Sequence, residues 1–339
     1  MKFRLFVIFC LVTALLCGCG SNVIQGAVDM EETVDVTTEN KNPFWVPEET
    51  VAQDTVSSAE YPYDYTRTNF FDMTNCWDYA PLAVAKGVLA DGSAFTLPAD
   101  DGFRVAQGAC SDGKYGYFFL AKPGTVIDGV SQDSQYLYKV DLETWEIVKR
   151  SDELFIQHAN GACYNAKLGK IISANMSPNG KDLSIIDPET LTLVDTVTIA
   201  KDIAAIAYNE TRDQYVVRLT GSQAFDFAIL DSDFNWLNEY SGVNGWIGIQ
   251  SIACDDNYVY RLDSGCVKKP GTEGVFVYDW DGNFQGVYRV AEDINGTINR
   301  EVVETEALFI HDGEFYISFN NGTGGRYFRL DMDLDKLYW

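Results

Sequence analysis

The sequence predicts an all-β fold of five repeated four-stranded units, and three observations carry that expectation. Five Asp-x-acidic tripeptides stand at intervals of 44 to 52 residues: Asp141-Leu142-Glu143, Asp187-Pro188-Glu189, Asp231-Ser232-Asp233, Asp279-Trp280-Asp281 and Asp331-Met332-Asp333. Upstream of each lies a second run of small apolar residues: Gln107-Gly108-Ala109-Cys110, Asn160-Gly161-Ala162-Cys163, Ala204-Ala205-Ile206-Ala207, Gln250-Ser251-Ile252-Ala253 and Ala307-Leu308-Phe309-Ile310. Helical periodicity of apolar residues is absent throughout the repeats, and short β-rich runs bounded by Asp, Asn and Gly take its place.

Each unit then reads as four strands, A to D. The small apolar run is strand A, suited to a crowded, fully buried position. A turn leads to a β-rich strand B, as in Tyr115–Leu120, Gln214–Leu219 and Glu314–Phe319. Strand C ends at the Asp-x-acidic tripeptide, where an Asp side chain accepts N–H groups of the turn, and strand D follows. Four-stranded units of about 40–50 residues in tandem are the grammar of β-propeller blades, so residues 104–339 are expected to form a five-bladed β-propeller. A β-sandwich would not repeat one four-strand grammar five times. The last unit is expected to carry its own strand D at Leu334–Trp339, which leaves residues 61–103 as an N-terminal extension that packs on the propeller and covers an edge.

Ahead of the repeats, Lys2 and Arg4 precede an apolar run from Leu5 to Leu16, the pattern of an export signal. The run ends in Leu16-Cys17-Gly18-Cys19, which resembles the lipobox of bacterial lipoproteins. That resemblance implies a signal peptide over 1–18, cleavage after Gly18 and a lipid on Cys19. Residues 19–60, polar and without periodicity, are expected to be a disordered tether. The protein is therefore expected outside a bacterial membrane, held there only by lipid on Cys19. Loss of residues 1–18 removes two basic side chains and no acid, taking the formal charge from −25 to −27 (−25 − 2). So acidic a surface repels nucleic acid and anionic headgroups, which excludes both as partners.

The repeats resemble extracellular β-propellers of the WD- and YVTN-like kind, over roughly 103–339. Within them Ala106-Gln107-Gly108-Ala109 resembles the Thr-Gln-Gly-Leu opening of propeller-type glutaminyl cyclases, which implies an acyl-transferase alternative. In blades the A strands line a central channel, and the D-to-A and B-to-C loops share one face. Polar residues there are the ligand-binding candidates: Gln107, His158, Asn160, Asp202, Gln250, Glu304 and Glu306 near the A strands, with Asn175, Asn320 and Gly322-Thr323-Gly324-Gly325 in the B-to-C loops. Such a ring of amides and carboxylates suits a sugar, a peptide or a hard cation. Glu304 and Glu306 alternate along one strand, the basis of a glycoside-active alternative.

No motif marks a cofactor or a dedicated metal site. The Asp-x-acidic turns lack the later ligands of an EF-hand, and Cys-x-x-Cys pairs are absent. Of the two histidines, only His158 precedes an A strand; His311 falls in an A-to-B turn. Cys110 and Cys163 read as small core residues, while Cys254 and Cys266 have the spacing to close a loop in an exported chain. The expected function is that of a monomeric binding module for an extracellular glycan, peptide or protein, with a propeller enzyme as the alternative.

The anchor gives a direct test. Cys19→Ala should leave the propeller folded, because the repeats begin far downstream. Fractionation should find it released from membranes or stalled as precursor; unchanged processing after Gly18 and unchanged membrane partition would refute the anchor.

Overall fold

The structure is a computed structural model, and it describes residues 82–127, 130–176, 180–224, 226–243, 248–264, 274–291, 304–320 and 324–334. The expected signal, the Cys19 anchor and the tether lie outside these residues. Two short strands come first, β1 (Leu82–Lys86) and β2 (Phe95–Pro98). The first blade follows as β3 (Val105–Ser111), β4 (Tyr115–Ile127), β5 (Val130–Asp141) and β6 (Glu146–Arg150). The second is β7 (Gly161–Asn165), β8 (Lys170–Ala174), β9 (Asp182–Ile186) and β10 (Leu193–Thr198). The third is β11 (Ile203–Asn209), β12 (Gln214–Leu219), β13 (Phe227–Asp231) and β14 (Trp236–Tyr240). The fourth is β15 (Gly248–Cys254), β16 (Tyr258–Ser264), β17 (Gly274–Asp279) and β18 (Phe284–Ala291); the fifth begins with β19 (Glu304–His311), β20 (Glu314–Asn320) and β21 (Gly324–Asp331).

Within each blade consecutive strands pair antiparallel in chain order. The inner strands β3, β7, β11, β15 and β19 each touch the next, and β19 touches β3, so the ring closes as a five-bladed propeller. Inner-strand side chains alternate between the two flanking blades, following the two-residue period of a strand. Ala109 packs in one apolar cluster with Phe309 of the fifth blade, whereas Cys110 packs with Ile171 of the second. The outer strands of the first three blades face solvent, and all five residues of β6 are exposed, whereas β18 of the fourth is largely buried.

Ring closure departs from expectation. The outer place in the fifth blade belongs to the N-terminal strands, not to 334–339, of which 335–339 lie outside the described residues. β2 pairs antiparallel with one end of β21, from Phe95↔Tyr327 to Pro98↔Gly324. β1 pairs with the other end, from Val84↔Asp331 to Lys86↔Arg329, and runs parallel to β18 of the fourth blade. The N-terminal strands thus take the outer edge of the fifth blade and join it to the fourth in one sheet. Burial fixes the register of β2: Phe95 and Leu97 are buried, Thr96 and Pro98 exposed. Phe95 meets Phe118 and Trp145 of the first blade and Tyr327 of the fifth at centroid distances of 5.6, 5.3 and 5.9 Å.

Four of the five expected Asp-led turns form as the sequence suggested. Asp141 accepts the N–H groups of Glu143 and Thr144, and Asp187 those of Glu189 and Thr190. Asp231 and Asp279 do the same for their own turns. Asp331 meets the Lys86 ammonium of β1 and so helps seat the clamp.

Two measurements check these assignments. Leu97→Ala should cost about 2–4 kcal/mol in urea unfolding, because Leu97 is fully buried in the clamp, while Thr96→Ala should cost little. The Thr190 N–H, above all, together with Lys170 holds the Asp187 carboxyl down at about 2, against 3.8 for a free one. A depressed folded-state pKa stabilises above the unfolded value, and that contribution is lost as pH falls from about 4 through about 2. Asp187→Asn should flatten the pH dependence of the urea midpoint in that window.

Candidate functional site

The site begins with bulges in the inner strands. Register shifts fall between Ala106 and Ala109, Ile203 and Ala205, Ile249 and Ile252, and Thr305 and Leu308, the same step of four inner strands. A bulge drops residues from the ladder and re-aims their side chains. Those dropped include Gln107, Ala204, Gln250 and Glu306, and Asn160 holds the matching position ahead of β7. Gln107, Gln250 and Glu306 are 0% exposed and Asn160 is 1% exposed.

The inner strands approach closely at this level. The Gly108 N–H donates to the Ala159 carbonyl at 2.9 Å, and a Cβ on Gly108 would lie 2.8 Å from that oxygen. A Cβ on Gly161 would lie 2.5 Å from that of Ala205. Only hydrogen fits at either position, which is why the A runs begin with Gly or another small residue. Asn160 Nδ2 donates a long hydrogen bond, 3.4 Å, to the Ile249 carbonyl, reaching from the second blade to the fourth across the axis. Both amide atoms of Gln107, Asn160 Oδ1 and Thr305 Oγ1 are buried and find no hydrogen-bond partner among the described residues. Asn320 Nδ2 lies 3.5 Å from Glu306 Oε1.

Beside this ring stands a histidine on a strained loop. Gln157 and Ala159 flank His158 with φ of 63° and 51°, and Met176 opposite has φ of 61°. Each such residue costs on the order of 1–3 kcal/mol and persists only where its surroundings over-determine it. Here they do: Gln135 Nε2 donates to the Gln157 and His158 carbonyls at 2.6 and 3.1 Å, and the His158 N–H donates to the Asn175 carbonyl at 3.1 Å. Asn175 Oδ1 in turn accepts from Ser184 Oγ. His158 Nδ1 lies 2.6 Å from Asp133 Oδ2, side chains 14% and 20% exposed. A carboxylate only accepts, so Nδ1 donates to Asp133 and Nε2 is the ring nitrogen left for another partner. Nε2 is buried without a partner among the described residues. Burial pushes the Asp133 carboxyl up, but the hydrogen bond and charge of His158 and the Gly124 N–H outweigh it and hold it below the usual range.

A buried ionic cluster braces the third and fourth blades. Arg218, Arg261 and Asp263 are all 0% exposed; Arg218 Nη2 lies 2.6 Å from Asp263 Oδ1 and Arg261 Nη2 3.1 Å from Asp263 Oδ2. Arg218 also donates to the carbonyls of Gln250, Leu262 and Ala224, which ties it to the main chain of the ring. Burial lowers the Arg218 pKa, and Asp263 opposes that shift. The sequence carried a signal for this cluster in the charges that interrupt Val216-Val217-Arg218-Leu219 and Tyr260-Arg261-Leu262-Asp263. Asp133, Gln135 and Thr305 gave none.

The other expected site residues separate. Asp202 is exposed, and Ala204 takes the ring position of its blade. Asn320 is 8% exposed beside Glu306. Glu304 pairs with Asn320 through the backbone, and its side chain lies outside the described ones, as do Gly322 and Thr323. At the opposite end of the channel a cavity of about 90 Å³ is lined by Cys110, Cys163, Cys254, Tyr164, Tyr208 and Ile310, among others. All three thiols are free, and burial pushes each of them up, which makes them poor nucleophiles. Cys254 is thus not tied into the loop closure foreseen with Cys266, a residue outside the described ones. Unpartnered polar groups concentrate at the ring and the His158 rim, so these, rather than the thiol-lined cavity, form the candidate site. Among the described residues no group of three or more His, Cys, Asp or Glu is arranged to hold a metal.

No family model and no curated protein matches the chain. Among solved structures it is similar to glutaminyl cyclase from Myxococcus xanthus, at 14% identity and a TM-score of 0.50, over 74% of this chain and 97% of that one. Hydrazine synthase from Kuenenia stuttgartiensis aligns at 11% identity and a TM-score of 0.39, over 66% and 57%. The first likeness is one of fold, a propeller glutaminyl cyclase, the family whose opening run the Gln107 stretch resembles.

Proposed function

We propose that the chain is an exported, lipid-anchored propeller that binds an extracellular glycan or peptide at the rim around His158. The observation that carries this reading is the His158 loop itself. Two residues at positive φ hold the imidazole in place, Gln135 and Asn175 fix its backbone, and Asp133 holds Nδ1. That arrangement holds Nε2, closed to solvent in the structure, for a hydrogen bond with a ligand hydroxyl or amide that displaces the side chains covering it. Loops of this kind on a rigid blade scaffold are where binding residues concentrate. The anchor on Cys19 and the acidic surface fit a soluble head outside the cell, and no helix among the described residues is long and apolar enough to cross a membrane.

A second reading, a propeller enzyme, draws on the Asp133–His158 pair as an acid–base unit and on the fold of the cyclase neighbour. Glu306, fully buried, speaks against the glycoside-active form of it, since a general acid must reach the glycosidic oxygen.

Glycan and peptide arrays test the binding role. Saturable binding should appear for one class, and His158→Ala should weaken it at least about tenfold, the order of one buried hydrogen bond. Incubation with peptides bearing N-terminal Gln tests the enzyme. Binding to neither class, or binding indifferent to His158→Ala, would sink the proposal, and cyclised product lost in Asp133→Asn would favour the enzyme.

A further inference from the structure

The geometry points to a second functional site at the far end of the channel from His158, a serine acyl-transfer site that hydrolyses small esters. Ser111 is its nucleophile, His311 its base and Asp312 the residue that positions the base. Ser111, Tyr164, Tyr208, Cys254 and His311 hold one equivalent step near the ends of the five inner strands, so every blade places a chemistry-bearing residue at this end. The first four line the cavity of about 90 Å³, and Ile310 lines it from the fifth blade. Two of the five are engaged otherwise. The Tyr208 hydroxyl donates to Asp213 Oδ1 at 2.6 Å, and burial holds the Cys254 thiol protonated.

Two features set Ser111 and His311 apart from ordinary turn chemistry. First, Ser111 Oγ lies 3.2 Å from His311 Nδ1, across the junction where the fifth blade meets the first. The Gly113 N–H takes one lone pair of Oγ at 3.0 Å and fixes its position, which leaves the O–H for the imidazole. Both residues are half-buried, so a substrate reaches them. Second, Asp312 departs from the repeat. Asp112 and Asp255 hold the same place in their blades, and each accepts two turn N–H groups and a tyrosine hydroxyl, from Tyr117 and Tyr260. Ile317 stands where those tyrosines do, and Asp312 Oδ2 instead faces His311 Nε2 at 3.6 Å. A proton on Nε2, facing that carboxylate, leaves Nδ1 to accept from Ser111. The contact is long, as such contacts are before substrate excludes water. The ring nitrogens are swapped relative to the serine-protease arrangement, which changes neither role.

The chemistry closes on these atoms. Ser111 Oγ bonds to the ester carbonyl carbon as its proton passes to His311 Nδ1. The bond from that carbon to the alcohol oxygen breaks, and Nδ1 returns the proton to the alcohol. Water then attacks the acyl-serine, Nδ1 carries its proton back to Oγ, and the carboxylic acid leaves. Tyr164 lines the same cavity, and burial pushes its pKa up, so its hydroxyl stays protonated as a donor for the ester carbonyl oxygen. The cavity sets the substrate class. Ala162, Ala207, Ile252 and Leu308 wall it. At about 30 Å³ for a group the size of water, about three such groups fit beyond the carbonyl, which suits acetyl to butyryl esters. The site shares no residue with the His158 rim and stands whatever the rim binds.

The test uses the purified full-length chain. A fluorophosphonate should label Ser111, located by peptide mapping, and the label should be lost in His311→Gln. p-Nitrophenyl acetate should be turned over, with kcat/KM at least about 100-fold lower in Ser111→Ala. Asp312→Asn should lower kcat about tenfold and leave KM unchanged, the mark of a residue that acts on the base and not on binding. p-Nitrophenyl octanoate should react at least about tenfold more slowly than the acetate, because its chain outgrows the cavity. No label on Ser111 overturns the inference, as does ester turnover that is absent or indifferent to Ser111→Ala, which would place any hydrolysis elsewhere on the chain. Octanoate turned over as fast as acetate would overturn the acyl pocket, and an unchanged kcat in Asp312→Asn the positioning role. If His311→Gln fails to fold, the label on the native chain and the Ser111→Ala comparison decide.

Discussion

Everything in this propeller depends on how closely five inner strands crowd one axis. Gly108 and Gly161 leave room only for hydrogen between neighbouring strands, and the Gly108 N–H reaches the Ala159 carbonyl across that gap. Strands this close cannot all keep regular pairing with strand B, and four of them bulge at the same step. The bulges put Gln107, Gln250 and Glu306 into the axis beside Asn160. Crowding, bulging and a buried polar ring are therefore one feature seen at three levels.

The same contact reaches outward to the rim. Ala159, whose carbonyl receives the Gly108 N–H, sits at positive φ immediately after His158, so the inner-strand contact also fixes the loop that presents the imidazole. Gln135 and Asn175 complete the clamp from β5 and the end of β8. Asp133, two residues before Gln135 on β5, holds the imidazole at Nδ1. The ring and the rim share a scaffold and differ in access: one is closed to solvent, the other meets it at 14% of the His158 side chain.

Closure of the circle is the other constraint. The N-terminal strands bind the fourth and fifth blades together, β2 and β1 along β21 and β1 again along β18. Phe95 carries this clamp into the core of the first blade. The Arg218–Asp263–Arg261 cluster joins the third blade to the fourth with ions rather than apolar side chains. Breaking one partner of such a cluster leaves a buried charge uncompensated, which makes it a fixed register point between those two blades.

The sequence by itself determined the fold class, because local chemistry decides a repeat. Asp-led turns, small apolar A runs and spacings near 46 residues all act within a few residues of one another, and Asp141, Asp187, Asp231 and Asp279 bond as that chemistry requires. It also brought Gln107, Asn160, Gln250 and Glu306 into one group, since equivalent positions of a repeat lie at equal radius. It missed Asp202, displaced by Ala204, because the bulge that fixes the ring position is a property of strand crowding and leaves no local mark. Asp133 and Gln135 were not legible either: their partners lie 22 to 25 residues away, joined only when the first and second blades pack. The outer strand of the fifth blade was assigned to the wrong end of the chain for the same reason. Which segment fills an open sheet edge is decided by burial of Phe95 and Leu97 against both neighbouring blades, and that surface exists only once the ring has formed.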